Sequence, residues 1–251
     1  MIATGALVAY LYLSRQLKRH HGLPAEQSQN LFLLIVAAAF VGGKLLYYLE
    51  DPGRYLSNPG EMFRNMGNGF VFYGSLLAAV PVVVLFARRH RIPLMPFLDH
   101  IAITACLVHA FGRLGCFGAG CCYGLPTDAF WGVVYEHPLC MAKPLGQPLH
   151  PTQLYSAGMI LSVLAVLLLV ARRKRFHGQL FLLYILLYAA GRAVIENFRG
   201  DLHRGFVFDG WLSHSQLISL LLMAGVGGLY FYLWKNRRLA APQADERPTH
   251  R

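Results

Sequence analysis

Two stretches of the chain carry residue types suited to holding a charged substrate. In AAGRAVIENFRG, Arg192 and Glu196 are spaced i, i+4, and Arg199 follows one turn later. On a continuous helix that spacing puts all three on one face. Glu196 can pair with either arginine, but one carboxylate does not neutralise two guanidiniums, so the surplus charge points to an anion. The plainer alternative is a trio that only locks its helix to a neighbour. The second stretch, GRLGCFGAGCCYGLPT, places Gly112, Gly115, Gly118, Gly120 and Gly124 around Arg113. Glycine lets backbone approach a ligand closely, and a guanidinium fork grips phosphate bidentately. Its alternative is a glycine-rich turn closing a helix. Downstream, His150-Pro151 leads into an apolar segment. His150 or Thr152 can cap that helix, or either can be a polar group in a cavity.

Cysteine supplies the other reactive group. Cys106 lies in an apolar run and reads as a small core residue. Cys116, Cys121, Cys122 and Cys140 fall in or after the glycine-rich stretch. The C-x4-C-C spacing lacks the two separated pairs of a structural zinc site. Disulfide pairing, free thiols and metal binding all stay open, and the expectation is no metal.

These residues need elements to hold them, and the composition says which. Only 14% of the 251 residues are charged and 55% are hydrophobic, against about 25% charged in soluble domains. The apolar residues are blocked into seven runs, roughly 2–14, 30–49, 70–87, 94–111, 152–171, 178–198 and 213–234. Such runs read as membrane spans. The net charge of +11 sits in short clusters, which argues against nucleic acid, since that would want a basic face on a soluble domain. Arg15, Lys18 and Arg19 follow the first run; Arg88, Arg89 and Arg91 the third; Arg172 to Arg175 the fifth; Lys235, Arg237 and Arg238 the last. The alternate loops hold only Arg54, Arg64, Arg113, Lys143, Arg199 and Arg204. By the positive-inside rule the clusters are cytoplasmic, giving N-out and C-in. The expected fold is therefore all-α: a polytopic bundle of about seven transmembrane helices forming one domain over 1–239. A small extracytoplasmic head of about 112–150 sits between helices four and five, and 240–251 form a disordered cytoplasmic tail. Ionisable groups within spans, Lys44 among them, default to functional candidates. The first run is shorter than the ~20 residues a span needs, so the chain is expected to begin partway into its first helix.

The ordered motifs GGKLLYYLEDPGRYLSNPGEMFR, GNGFVFYGSL, FLD, GRLGCFGAGCCYGLPTDAFWGVVY, HPTQLY, GRAVIENFRG and SHSQLISL resemble those of the bacterial prolipoprotein diacylglyceryl transferases along nearly the whole chain. The resemblance implies transfer of the diacylglyceryl group of phosphatidylglycerol to the lipobox cysteine thiol of preprolipoproteins at the outer face of the cytoplasmic membrane. A thioether forms, glycerol phosphate leaves, and no metal or nucleotide takes part. The implied partners are phosphatidylglycerol, preprolipoprotein signal peptides and membrane lipids. Arg113, with Gly112 beside it, matches the signature arginine that contacts phosphatidylglycerol, and Arg192 the second essential arginine. Glu196 and Arg199 match the acidic and basic positions beside it, and Gly124 the glycine closing the signature.

The departures fall on proton transfer. The family signature usually reads GRIGNFINGELWGR; this chain has Cys116 for Asn, Ala119 for the second Asn, Cys121 for Glu and Leu125 for the closing Arg. In the FHGG motif, Tyr73 replaces the histidine proposed as base and Ser75 the second glycine. Lys44 replaces the usual arginine of helix two, and a tyrosine near the outer end of helix one is missing. An unperturbed tyrosine, with a pKa of about 10, is a poor base at neutral pH. Tyr73, His150 and the cysteines are thus the candidates for proton transfer. Two further readings accompany active transfer: a phospholipid-binding relative without turnover, and a thiol-active membrane protein using Cys116, Cys121 and Cys122.

Overall fold

The structure, a computed structural model, describes residues 1–64, 66–67, 69–200, 206–207 and 211–236. The expected tail over 240–251 lies outside the described residues. Helices dominate: α1 (Ile2–His21), α2 (Ala25–Glu50), the short α3 (Pro52–Ser57) and α4 (Gly60–Arg64), α5 (Phe72–Arg89), α6 (Leu94–Ala119), α7 (Thr152–Ala171), α8 (Gln179–Ile195) and α9 (His214–Lys235). Two two-stranded ribbons interrupt them, β1 (Val133–Val134) with β2 (Pro148–Leu149), and β3 (Phe206–Val207) with β4 (Leu212–Ser213).

Among the described residues six helices are long and apolar enough to cross a membrane: α2, α5, α6, α7, α8 extended to Phe198, and α9. The first expected run, 2–14, belongs to a 20-residue helix whose last turn carries Lys18, Arg19, His20 and His21. The apolar side chains on these helices face outward in number; Leu221, Leu169, Leu77 and Val41 are all exposed. On a soluble protein such surface would be an aggregation hazard, whereas lipid satisfies it. The protein is thus a multi-pass membrane protein.

The described residues group into two compact units, 12–97 and 1–11 with 98–251. In the first, α2 packs along α5. A Cβ on Gly42 would collide with the Gly74 carbonyl, and one on Gly74 with that of Gly42, so small residues let the two backbones approach. The buried Ser75 hydroxyl donates to the Ala39 carbonyl at 2.7 Å across the same seam. Pro81 lies inside α5, as membrane helices tolerate.

In the second unit α7, α8 and α9 pack in sequence, and a Cβ on Gly5 of α1 would run into the Phe111 ring of α6. Asp99, 1% exposed, is the anchor. Its carboxylate accepts from Lys174 Nζ at 3.0 Å and from the backbone N–H groups of Gly178, Leu180 and Phe181. One side chain of α6 therefore caps the N-terminus of α8, where orphan amides and the helix dipole favour an anion. At α9, Ser213 and Gln216 form a reciprocal capping box.

Helix α6 runs to Ala119, eight residues past its expected end at 111. The glycine-rich stretch from Gly112 is therefore helical in its first half and irregular only from Gly120, where φ is +67°. Three glycines at turn spacing do not stop a helix whose other residues are packed, because each costs only about 1 kcal/mol.

Candidate functional site

In the second unit, three sequence motifs meet at Gly124. Its N–H donates to the His150 carbonyl at 2.9 Å, and the His150 N–H donates to the Leu125 carbonyl at 2.9 Å. On the other side, Leu125 N–H donates to Phe198 carbonyl at 2.9 Å, Gly200 N–H reaches the Tyr123 carbonyl at 3.2 Å, and Gly124 bridges Arg199. The end of the signature is thus an extended strand between HPTQLY and ENFRG. A Cβ on Gly124 would stand 2.5 Å from His150 Cβ and 2.6 Å from the Phe198 carbonyl. Glycine is required there by close approach.

Arg113 sits on the last turns of α6, and its Nε donates to His109 Nε2 at 3.3 Å, one turn earlier. As acceptor, that imidazole carries its proton on Nδ1. His109 also packs on Tyr188, ring centroids 5.2 Å apart. Arg192, near the end of α8, pairs with Glu196 at 2.5 Å and donates from Nη2 to Ser215 Oγ of α9 at 3.2 Å. The Glu196 side chain is 2% exposed. Arg192 lies within electrostatic reach of both Arg199 and Arg113, so three guanidiniums gather about one region.

The expected single face for Arg192, Glu196 and Arg199 holds for the first two only. Helix α8 ends at Ile195, Glu196–Phe198 tighten into a 3-10 turn, and Arg199 is extended with ψ 138°. Its main chain is committed to the bridge with Gly124. Gly112 lies in the helix with nothing within 4 Å of where a Cβ would be.

Neither His150 nor Thr152 caps α7. Pro151 holds the N-cap position without a side-chain bond. The Thr152 hydroxyl donates instead to the Cys122 carbonyl at 2.6 Å. His150 Nδ1 lies 3.0 Å from the Tyr155 hydroxyl, which accepts from the Trp131 indole at 2.7 Å. The Tyr155 hydroxyl thus joins the indole to the imidazole, and the direction of its bond with Nδ1 follows the tautomer of His150. The relay orients His150.

All five cysteines are free thiols. Cys106 is fully buried in α6, as its apolar run suggested. The sulfurs of Cys116, Cys121 and Cys122 lie within 4.8 Å of one another. Gln153, fully buried, donates to the Cys121 carbonyl at 2.7 Å, and Cys122 takes a left-handed φ of 58°. Hydrogen bonds from the Cys116 and then the Cys121 thiols hold Cys122 well below its ordinary pKa, with Arg113 and Arg199 assisting against the opposing effect of burial. The same sulfur contacts, followed by burial, push Cys121 up. Cys140 packs on Gly120, where a Cβ would overlap its sulfur, and its Sγ approaches the Ala119 carbonyl at 3.8 Å.

The first unit holds the other candidates. Tyr73 is on the first turn of α5, 52% exposed. Lys44, buried in α2, donates to the Gly69 carbonyl at 2.9 Å and lies 5.5 Å from the Tyr47 ring centroid.

His109, Ser215, Tyr155 and Trp131 were not among the candidates read from sequence. His109 alone had a signal: it stands i−4 from Arg113 on an apolar helix.

Residues 1–234 match the family model described as prolipoprotein diacylglyceryl transferase. A phosphatidylglycerol–prolipoprotein diacylglyceryl transferase of Clostridium tetani is 37% identical over 220 residues, covering 88% of this chain and 86% of that relative. Clostridium perfringens has one, numbered 2, that is 32% identical over 233 residues, 92% of this chain and 88% of its own. The protein of that name from Oleidesulfovibrio alaskensis is 33% identical over 249 residues, 98% and 91% of the two chains.

Proposed function

The chain belongs to the prolipoprotein diacylglyceryl transferase family, and on that premise we propose that it moves the diacylglyceryl group of phosphatidylglycerol onto the lipobox cysteine thiol of preprolipoproteins. The thiol sulfur bonds to the glyceryl carbon, the C–O bond to phosphate breaks, and glycerol phosphate departs with the electron pair. The reaction belongs to the outer face of the bacterial cytoplasmic membrane, where a translocated lipobox meets phosphatidylglycerol.

The observation carrying this reading is the gathering of Arg113, Arg192 and Arg199 about the joint that binds signature, HPTQLY and ENFRG together. A phosphodiester that becomes a phosphomonoester gains negative charge at the leaving oxygen, and preorganised cations stabilise that change. Arg113 holds the phosphate with Gly112 beside it, supported by His109. Arg192, aimed by Glu196 and Ser215, meets the developing charge. Gly124 fixes Arg199 through the backbone. His150, held by Tyr155, is the group of this unit available for the thiol proton, and Tyr73, in the other unit, is a candidate through the family resemblance alone.

The test is complementation of a strain depleted of its own transferase, read by thioether-linked diacylglyceryl on a reporter lipoprotein. Rescue by this chain, abolished by Arg113→Ala at unchanged membrane insertion, is expected. Stable insertion without lipidated product would refute the reading.

A further inference from the structure

We propose that Cys116, Cys121 and Cys122 form a three-thiolate site for a zinc-class divalent cation, whose fourth position takes the substrate's cysteine thiol.

The sulfurs lie within 4.8 Å of one another. Tetrahedral zinc, with zinc–sulfur bonds of ~2.3 Å, places its sulfurs roughly 3.8 Å apart. At most about 1 Å must therefore be closed, within the range of small side-chain rotations. The backbone around the cluster is already set. Cys121 N–H donates to the Cys116 carbonyl at 3.2 Å, closing the last turn of α6. Gly120 and then Cys122 adopt left-handed conformations, which a cysteine enters only when its surroundings impose it. Thr152 and Gln153, both buried from the start of α7, hold the Cys122 and Cys121 carbonyls. Supporting bonds of this kind keep metal ligands in position.

Three converging sulfurs, rather than two, distinguish the arrangement from a disulfide, which would leave one thiol over. Three protein ligands also leave the open coordination of a catalytic zinc rather than the closed set of a structural one. Three thiolates and a dication sum to one negative charge, and Arg113 and Arg199 both act electrostatically on the cluster. The charge of the loaded site is thus compensated by these guanidiniums.

The role for the fourth position rests on the transferase reading; the metal site does not. A thiol that coordinates such a cation gives up its proton. Here the proton passes to water and the lipobox sulfur stays bound as thiolate. That sulfur then forms the bond to the glyceryl carbon, the C–O bond to phosphate breaks, and its electron pair leaves on glycerol phosphate. Nothing is oxidised or reduced. The site thereby supplies a nucleophile in a chain whose Tyr73 stands where the family places a histidine.

The experiment uses the full chain in phospholipid nanodiscs, with zinc measured by mass spectrometry and cobalt(II) exchanged in as a spectroscopic probe. About one zinc per chain is expected, with sulfur-to-cobalt charge-transfer bands after exchange. Cys116→Ser, Cys121→Ser and Cys122→Ser should each lower zinc affinity at least tenfold, and Gln153→Leu, which keeps every thiol, by roughly 10–100-fold. A lipobox peptide should shift the cobalt bands, and its Cys-to-Ser analogue should not. Chains without zinc or cobalt bands, whether thiols are free or paired in a disulfide, overturn the site. Bands indifferent to the peptide, or full transfer by the metal-stripped chain, overturn the fourth-ligand role. Zinc bound at the three cysteines by a chain that transfers nothing would sink the transferase reading and leave the metal site standing.

Discussion

Arg192 shows how one side chain is made directional. Glu196 and Ser215 engage different nitrogens of its guanidinium, fixing the plane of the fork as well as its charge. Arg192→Lys keeps the charge and loses the fork, so transfer measured in membranes should fall roughly 100-fold, as when a preorganised donor is removed. Ser215→Ala should cost less, about tenfold, because the Glu196 pair remains. A Lys variant with wild-type rate would show that charge alone suffices. Tyr155→Phe frees His150 Nδ1 while leaving its ring contact; if His150 takes the thiol proton, the pH profile of transfer should shift, and an unchanged profile would remove His150 from that step. Arg192 and Glu196 stand out in the sequence because charges inside apolar runs are conspicuous, and Arg113 because glycines surround it. His109 does not, since a lone histidine on an apolar helix has the same appearance whether it supports an arginine or fills a core.

Elements place these residues through main-chain geometry that residue spacing hides. The i, i+4 logic reached Glu196 and failed at Arg199, because the 3-10 turn at Glu196–Phe198 changes the angular step before Arg199 arrives. The end of α6 was misjudged for the opposite reason: glycines signalled a loop, yet Gly112, Gly115 and Gly118 remain helical. Two substitutions test the joints. Gly124→Ala drives a methyl against His150 and the Phe198 carbonyl, and should cost about 1–3 kcal/mol, the range for overpacking, with transfer lost in step. Asp99→Ala removes the cap of α8 and the partner of Lys174. It should destabilise by about 3 kcal/mol or more, as broken buried pairs do. Thermal unfolding in detergent reads both, and an Asp99 variant as stable as the parent would show that α8 does not depend on its cap.

For the molecule as a whole, the spans were readable because lipid demands long apolar runs whatever the fold within them. Their pairing was not, since contacts such as Gly42 with Gly74 involve residues that hydropathy barely registers. The same charge clusters that located the loops predict orientation. A fluorescent protein fused after residue 236 should fold in the cytoplasm, and alkaline phosphatase inserted at Leu139 should be active outside. The reverse pattern would invert the assignment of faces. The strand through Tyr123, Gly124 and Leu125 is fastened by amides and carbonyls on both sides, which most residues supply alike, close approach reserving only the middle position for glycine. The Tyr123 and Leu125 side chains can therefore be exchanged without remodelling the frame that presents them. Along such a strand the main chain keeps the shape while the letters choose the reagents.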